Sequence, residues 1–130
     1  MSAKQGRGSK TKGADAEREF AALLEKKTGI SVQRNLEQNR SGGHDLVGTS
    51  VPWLCLEIKR QEILDVTTWW MQAVSQAKRV EGGIPVLAYR QNRKPWMIML
   101  LLQGPISEHL AVITFQEFCV WLIDSMKVRA

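Results

Sequence analysis

The sequence predicts an α/β or α+β fold in which helices cover a mixed β-sheet, and three observations carry that prediction. Helical spacing of apolar residues appears near both ends and once in the middle. Between these stretches lie short apolar or alternating runs bounded by Gly, Pro, Asn and Ser, the signature of strands and turns. Read in order they give αβββαββ(β)α, which suits helices layered on a sheet. At 130 residues the chain fits one domain with its own core and needs no disulfide or metal staple. The expected organisation is a disordered basic tail over residues 1–13 and a single domain over residues 14–130.

Each element has a local reason. Ala16, Phe20, Leu23 and Leu24 recur at helical spacing over residues 14–27, with Asp15, Glu17 and Glu19 near the start, where the helix dipole favours acids. Gly29 closes that helix. The preceding MSAKQGRGSKTKG has no apolar periodicity, the composition of a disordered tail. Residues 30–34 alternate as a short strand, and NLEQNRSGG, residues 35–43, is loop by composition. Strands are expected over 45–48 and 53–59, joined as a hairpin by a turn containing Gly, Thr, Ser and Pro. Thr67 is the expected cap of a helix reaching Val80, stopped by Gly82 and Gly83. Two strands, over 84–90 and 96–102, flank the basic tip QNRKP. A short strand over 110–113 and a helix over 115–126, capped by Thr114, complete the order.

Charge and cysteine content narrow the function classes. The net charge is +5, but Lys4, Arg7, Lys10 and Lys12 supply four of the 18 basic residues from a segment without acids, leaving 14 against 13 acids elsewhere. Where the charges cluster therefore matters more than their sum. Cys55 and Cys119 lie in apolar surroundings without CxxC spacing, and with His44 and His109 as the only histidines they form no zinc site. Both are expected reduced and buried, as in a cytosolic protein. The N-terminus has no signal-peptide character, and the longest apolar run, MIMLLL, is too short to span a bilayer. A soluble protein without a membrane partner is expected.

The stretch HDLVGTSVPWLCLEIKRQ, residues 44–61, holds charges in a strand otherwise apolar enough for a core. Alternation puts Trp53, Cys55, Glu57 and Lys59 on one face and Leu54, Leu56 and Ile58 on the other, the core-facing side. A hairpin register with Asp45 opposite Glu57 pairs Gly48 with Leu54 and leaves a common loop length. Two carboxylates ~5 Å apart at Cβ repel on a half-buried surface. A divalent cation removes the penalty. Mg²⁺ takes oxygen ligands, often one or two carboxylates with waters and phosphates, so Asp45 and Glu57 make an open site, with the Ile58 carbonyl as a third ligand. Lys59, on the same face, then holds the attacking water or stabilises charge on a phosphate. The bland alternative is a solvated cross-strand ion pair between Glu57 and Lys59. For His44 it is local hydrogen bonding.

Asp45 followed by Glu57-Ile58-Lys59 resembles the PD-(D/E)xK nuclease signature, with HD in place of PD. KGADAEREFAALLEKKTG, the arginine in VQRN, DLVG, WLCLEIK and GGIPVLAYR follow in the order of the archaeal-type Holliday junction resolvases, a resemblance over residues 12–90. It implies an α/β fold with a restriction-endonuclease-like core, a central mixed sheet flanked by helices. It also implies a Mg²⁺-dependent endodeoxyribonuclease, with Mn²⁺ able to substitute, that resolves four-way junctions in recombination and repair and leaves 5′-phosphate and 3′-hydroxyl ends. Asp45, Glu57 and Lys59 match its catalytic core, and Glu17 its acid from the first helix. Arg18 and Arg34 match basic positions near the scissile phosphate. Periodicity alone does not separate Glu17 from Glu19, since both flank the apolar stripe; the motif chooses Glu17. The loop LEQNRSGGH is longer than in many relatives, and after Arg90 the match is architectural only.

In a nuclease, Ser41 and the glycines of SGGH admit a phosphate close to the backbone and Arg40 binds it; a flexible turn is the plain alternative. Arg60, with Lys78, Arg79, Arg90, Arg93 and Lys94, extends the phosphate-binding surface, which gives affinity without base recognition. Gln72 and Gln76 lie one turn apart on the middle helix. Trp69 and Trp70 point about 100° apart there, so one enters the core while its neighbour stays near the surface. Two symmetric cuts require two sites, hence a homodimer, with Trp70 as the interface candidate. The expected setting is the cytoplasm, at the nucleoid, or a host cytoplasm if a virus encodes the chain. The other readings are a nicking or repair endonuclease on duplex or branched DNA, and a catalytically silent DNA-binding module of the same fold.

Overall fold

In the computed structural model, which describes residues 2–34, 46–47 and 51–129 and the side chains of 13–33 and 51–129, the elements run in the expected order. They are α1 (Ser2–Thr28), β1 (Gln33–Arg34), β2 (Leu46–Val47), β3 (Leu54–Arg60), α2 (Val66–Ala77), β4 (Ile84–Arg90), β5 (Met97–Gln103), β6 (Glu108–Thr114) and α3 (Phe115–Arg129). The strands form one six-stranded sheet in sequence order. β3 and β4 are parallel, as a helical crossover through α2 allows, and every other neighbouring pair is antiparallel. This is the mixed sheet flanked by helices that the sequence predicts.

Alternation along the strands divides the apolar residues between two layers. Leu54, Leu56 and Ile58 of β3, with Val86 and Ala88 of β4 and Ile98 and Leu100 of β5, pack against Ala16, Phe20 and Leu24 of α1 and against Phe118, Cys119 and Leu122 of α3. Phe20 sits at the centre of this layer, its ring 5.2 Å from Trp96, 5.5 Å from Phe115 and 6.3 Å from Phe118. Each such fully buried side chain contributes about 1.5–3 kcal/mol relative to exposure. On the opposite face Trp69 of α2 packs with Leu87 and Tyr89, bordered by Val66, Trp70, Met97 and Met99. The second layer is smaller, and it is the layer under which Glu57 lies.

Several local readings hold. Gly29 ends α1 in the left-handed region at φ 76°, its N–H bonded to the Glu25 carbonyl at 2.8 Å. Thr114 caps α3 reciprocally: the Glu117 N–H bonds the Thr114 hydroxyl at 3.1 Å, and the Thr114 N–H bonds the Glu117 carboxylate at 2.8 Å. Trp69 is buried and Trp70 half-buried, as expected of adjacent helical residues.

Others are corrected. The first helix runs Ser2–Thr28, longer at its start than the expected 14–27. Only Gln33–Arg34 of the expected 30–34 strand pair in the sheet, while Ile30 and Val32 serve the core. α2 begins at Val66, with Asp65 rather than Thr67 at its N-cap and no side-chain bond there. β6 spans Glu108–Thr114, longer than the apolar residues alone suggest. Trp53 precedes β3 and escapes its alternation: it meets Trp121 edge-on at 6.1 Å, with the Arg129 guanidinium 4.4 Å from its ring centre.

Candidate active site

β3 delivers the central pair. Glu57 and Lys59 share the face turned toward α2, and the Lys59 ammonium lies 3.6 Å from Glu57 Oε1. Glu57 is 4% exposed, whereas the Lys59 side chain keeps 27% of its surface. The solvated ion pair of the bland reading is therefore not what forms. The carboxylate is taken out of water, and the ammonium beside it stays partly exposed. In the parallel pairing Glu57 stands beside Leu87 and Lys59 beside Tyr89, both buried. Burial also pushes the Tyr89 phenol above its ordinary range, so the neighbour of Lys59 stays neutral.

The β2–β3 register is the expected one: Leu46 pairs with Leu56, one step from the pairing that sets Asp45 against Glu57. Asp45 itself lies outside the described residues, as do Arg40, Ser41 and His44, and the Arg34 side chain is not among those described. Ile58, the proposed carbonyl ligand, has its side chain in the core opposite Glu57.

α1 supplies two glutamates with different environments. Glu17 is 7% exposed; it and Glu57 are the buried charged residues among those described. Glu19 faces the end of the sheet, where Arg60 and Arg90 are register partners on β3 and β4. Two adjacent guanidiniums repel, and Glu19 offsets this by accepting bonds from Arg90 at 2.8 and 2.9 Å and from Arg60 at 3.4 Å. Arg90 also lies 5.5 Å from the Trp96 ring centre. Sequence reasoning missed this tether, because nothing local to Glu19 shows which cations the fold brings to it.

The remaining predicted residues are more dispersed. Arg18 is exposed on α1 and pairs with Asp15 at 3.1 Å. Arg60, expected to touch phosphate, has only 18% of its side chain exposed and is committed to Glu19. Trp70 packs beside the α2 layer of its own chain. Gln72 and Gln76 share a surface recess of α2 with Thr68, Met71, Ser75 and Arg79. Cys55 and Cys119 are free and buried, and desolvation raises both thiols above their ordinary range. Among the described residues no helix is long and apolar enough to cross a membrane.

The donor chemistry fits a hard cation in kind. A buried carboxylate beside a main-chain carbonyl offers oxygens only, and an ammonium adjoins it. Among the described residues no three His, Cys, Asp or Glu side chains converge as a complete metal cluster. Such a set thus depends on Asp45.

The profile of the family described as "Phage putative PDDEXK endonuclease" matches residues 8–123. Among solved structures, the chain is similar to Hjc of Archaeoglobus fulgidus, a Holliday junction resolvase from an archaeal hyperthermophile, at 18% identity and a TM-score of 0.58. That match covers 84% of this chain and 96% of the other, and it establishes a shared restriction-endonuclease-like fold. No curated protein matches.

Proposed function

This chain belongs to the phage PDDEXK endonuclease family, and from that membership we propose that it hydrolyses phosphodiester bonds of DNA with Mg²⁺, or Mn²⁺ in its place, and prefers four-way junctions to linear duplex. The observation that carries the chemistry is the burial of Glu17 and Glu57, the only charged residues so classed among those described. These are also the two described acids that the nuclease motif assigns. Similarity of fold to Hjc, a resolvase, supports the choice of a branched substrate.

In this reading Asp45, Glu57 and the Ile58 carbonyl hold the cation, which supplies charge neutralisation at the phosphate and acidifies a water. Lys59, fixed by Glu57, positions the attacking water or stabilises negative charge on a phosphate oxygen. Glu17 adds an outer or second-cation contact from α1. Arg18, Arg34, Arg40 and Ser41 bind backbone phosphates near the cut; Arg60, engaged by Glu19, is the least available of the set. Paired incisions call for a homodimer, with Trp70 at or near its interface, and the chain acts where DNA is accessible, in a cell's or a phage host's cytoplasm.

The test is cleavage of an immobile four-way junction, its linear duplex and a cruciform plasmid, with Mg²⁺, Mn²⁺ or Ca²⁺. The expected result is junction preference, with cruciform plasmid converted directly to linear form by coordinated cuts. Glu57→Gln should lose cleavage by about a thousandfold or more while retaining junction binding in Ca²⁺. Equal cutting of linear duplex would replace the resolvase reading by a nicking or repair endonuclease. No cleavage with either Mg²⁺ or Mn²⁺ would leave a DNA-binding module.

A further inference from the structure

The tip of the β4–β5 hairpin holds Arg93 at φ 66°, the one non-glycine residue among those described with a positive φ. A long side chain in the left-handed region is strained, and glycine at the same place avoids that strain. The tip is also braced. Gln91 Nε2 donates to the Glu62 carbonyl at 3.0 Å, and Asn92 Nδ2 donates to Glu62 Oε2 at 2.7 Å. The Lys94 N–H closes the turn on the Gln91 carbonyl at 3.1 Å, and Arg90 donates to the Lys94 carbonyl at 3.3 Å. Glu62 lies three residues past Lys59 in the chain. The segment that carries the site's lysine therefore also holds the strained turn.

The charges at this rim divide sharply. Arg60 and Arg90 share the single carboxylate of Glu19, whereas Arg93 and Lys94 are exposed and make no ion pair within the described residues. Lys59 is level with Tyr89, four residues before Arg93. At ~3.3 Å per residue the tip stands at most roughly 13 Å beyond the site's lysine. The tip therefore stands beside the site, within reach of the backbone that flanks it.

We propose that the β4–β5 tip is a phosphate clamp for the DNA flanking the cleaved bond, in which the strained backbone of Arg93 aims its guanidinium and Lys94 adds a second cation. Strain of this kind persists only where the surroundings over-determine it, and the four hydrogen bonds above do so. The inference rests on the DNA-cleaving reading and assigns its tip residues a positioning role outside the chemistry.

The experiment compares Arg93→Gly and Arg93→Lys with the parent chain, measuring Tm, junction affinity in Ca²⁺ across a salt series, and KM and kcat in Mg²⁺. Arg93→Gly relieves the strained φ, so Tm should hold or rise. Junction affinity should fall about tenfold, with the salt slope shallower by about one ion. KM should rise in parallel while kcat changes little, and Arg93→Lys should recover most of the affinity. Unchanged affinity and salt slope in Arg93→Gly, with the parent chain cutting normally, would overturn the clamp alone. A parent chain that neither binds nor cuts DNA would overturn the clamp together with the function it serves.

Discussion

Glu17 and Glu19 stand two positions apart on one helix in different surroundings, Glu17 buried and Glu19 tied to arginines. Glu19 binds two guanidiniums brought together by the β3–β4 register, so Glu19→Ala leaves Arg60 and Arg90 side by side, partly buried and uncompensated. Stability should drop by about 2 kcal/mol in urea denaturation. Glu17→Gln, by contrast, should abolish cleavage with a much smaller change in the urea midpoint. The sequence could not separate the two acids by periodicity, because both border the same apolar stripe. The motif singled out Glu17, and the structure gives Glu19 its separate task. The pairing of Glu57 with Lys59 was legible for a simpler reason: strand alternation alone puts them on one face. Its depth of burial was not, since that depends on how far α2 covers the sheet.

Helix starts show what local chemistry decides and what it does not. Thr114 was readable as a cap because Glu117 follows at the spacing of a reciprocal box, and both bonds form. Thr67 misled because the start of α2 is set by Val66 packing against the small layer, and no hydroxyl bond is used. Bonding from the Thr114 backbone N–H, and then from its hydroxyl, holds the Glu117 carboxyl below the usual range. The box therefore stabilises α3 fully above the ordinary carboxylate range and loses its ionic part as pH falls through the depressed value. Thr114→Ala should lower stability by about 1 kcal/mol near neutrality. Its difference from the parent chain should narrow in acid, as thermal denaturation at a series of pH values would show.

At the scale of the whole molecule, the element order and the β2–β3 register followed from apolar patterning and a permissible loop length. What patterning could not supply was the company each layer keeps. Phe20 of α1 is surrounded by Trp96, Phe115 and Phe118, residues from the far half of the chain, and no local feature announces that contact. Phe20→Ala should cost about 3–5 kcal/mol. It should also lower cleavage at temperatures where the parent chain is fully folded, because α1 carries Glu17. Circular dichroism melts read beside activity would test this.

That aromatic knot also sets a schedule. A ribosome releases both glutamates well before Phe115 and Phe118, so a growing polypeptide exposes the acids but lacks the wedge that seats the first helix. A chain cut before Phe115 would keep both glutamates and lose the side chains that seat the first helix, so under the proposed function it should not cut DNA.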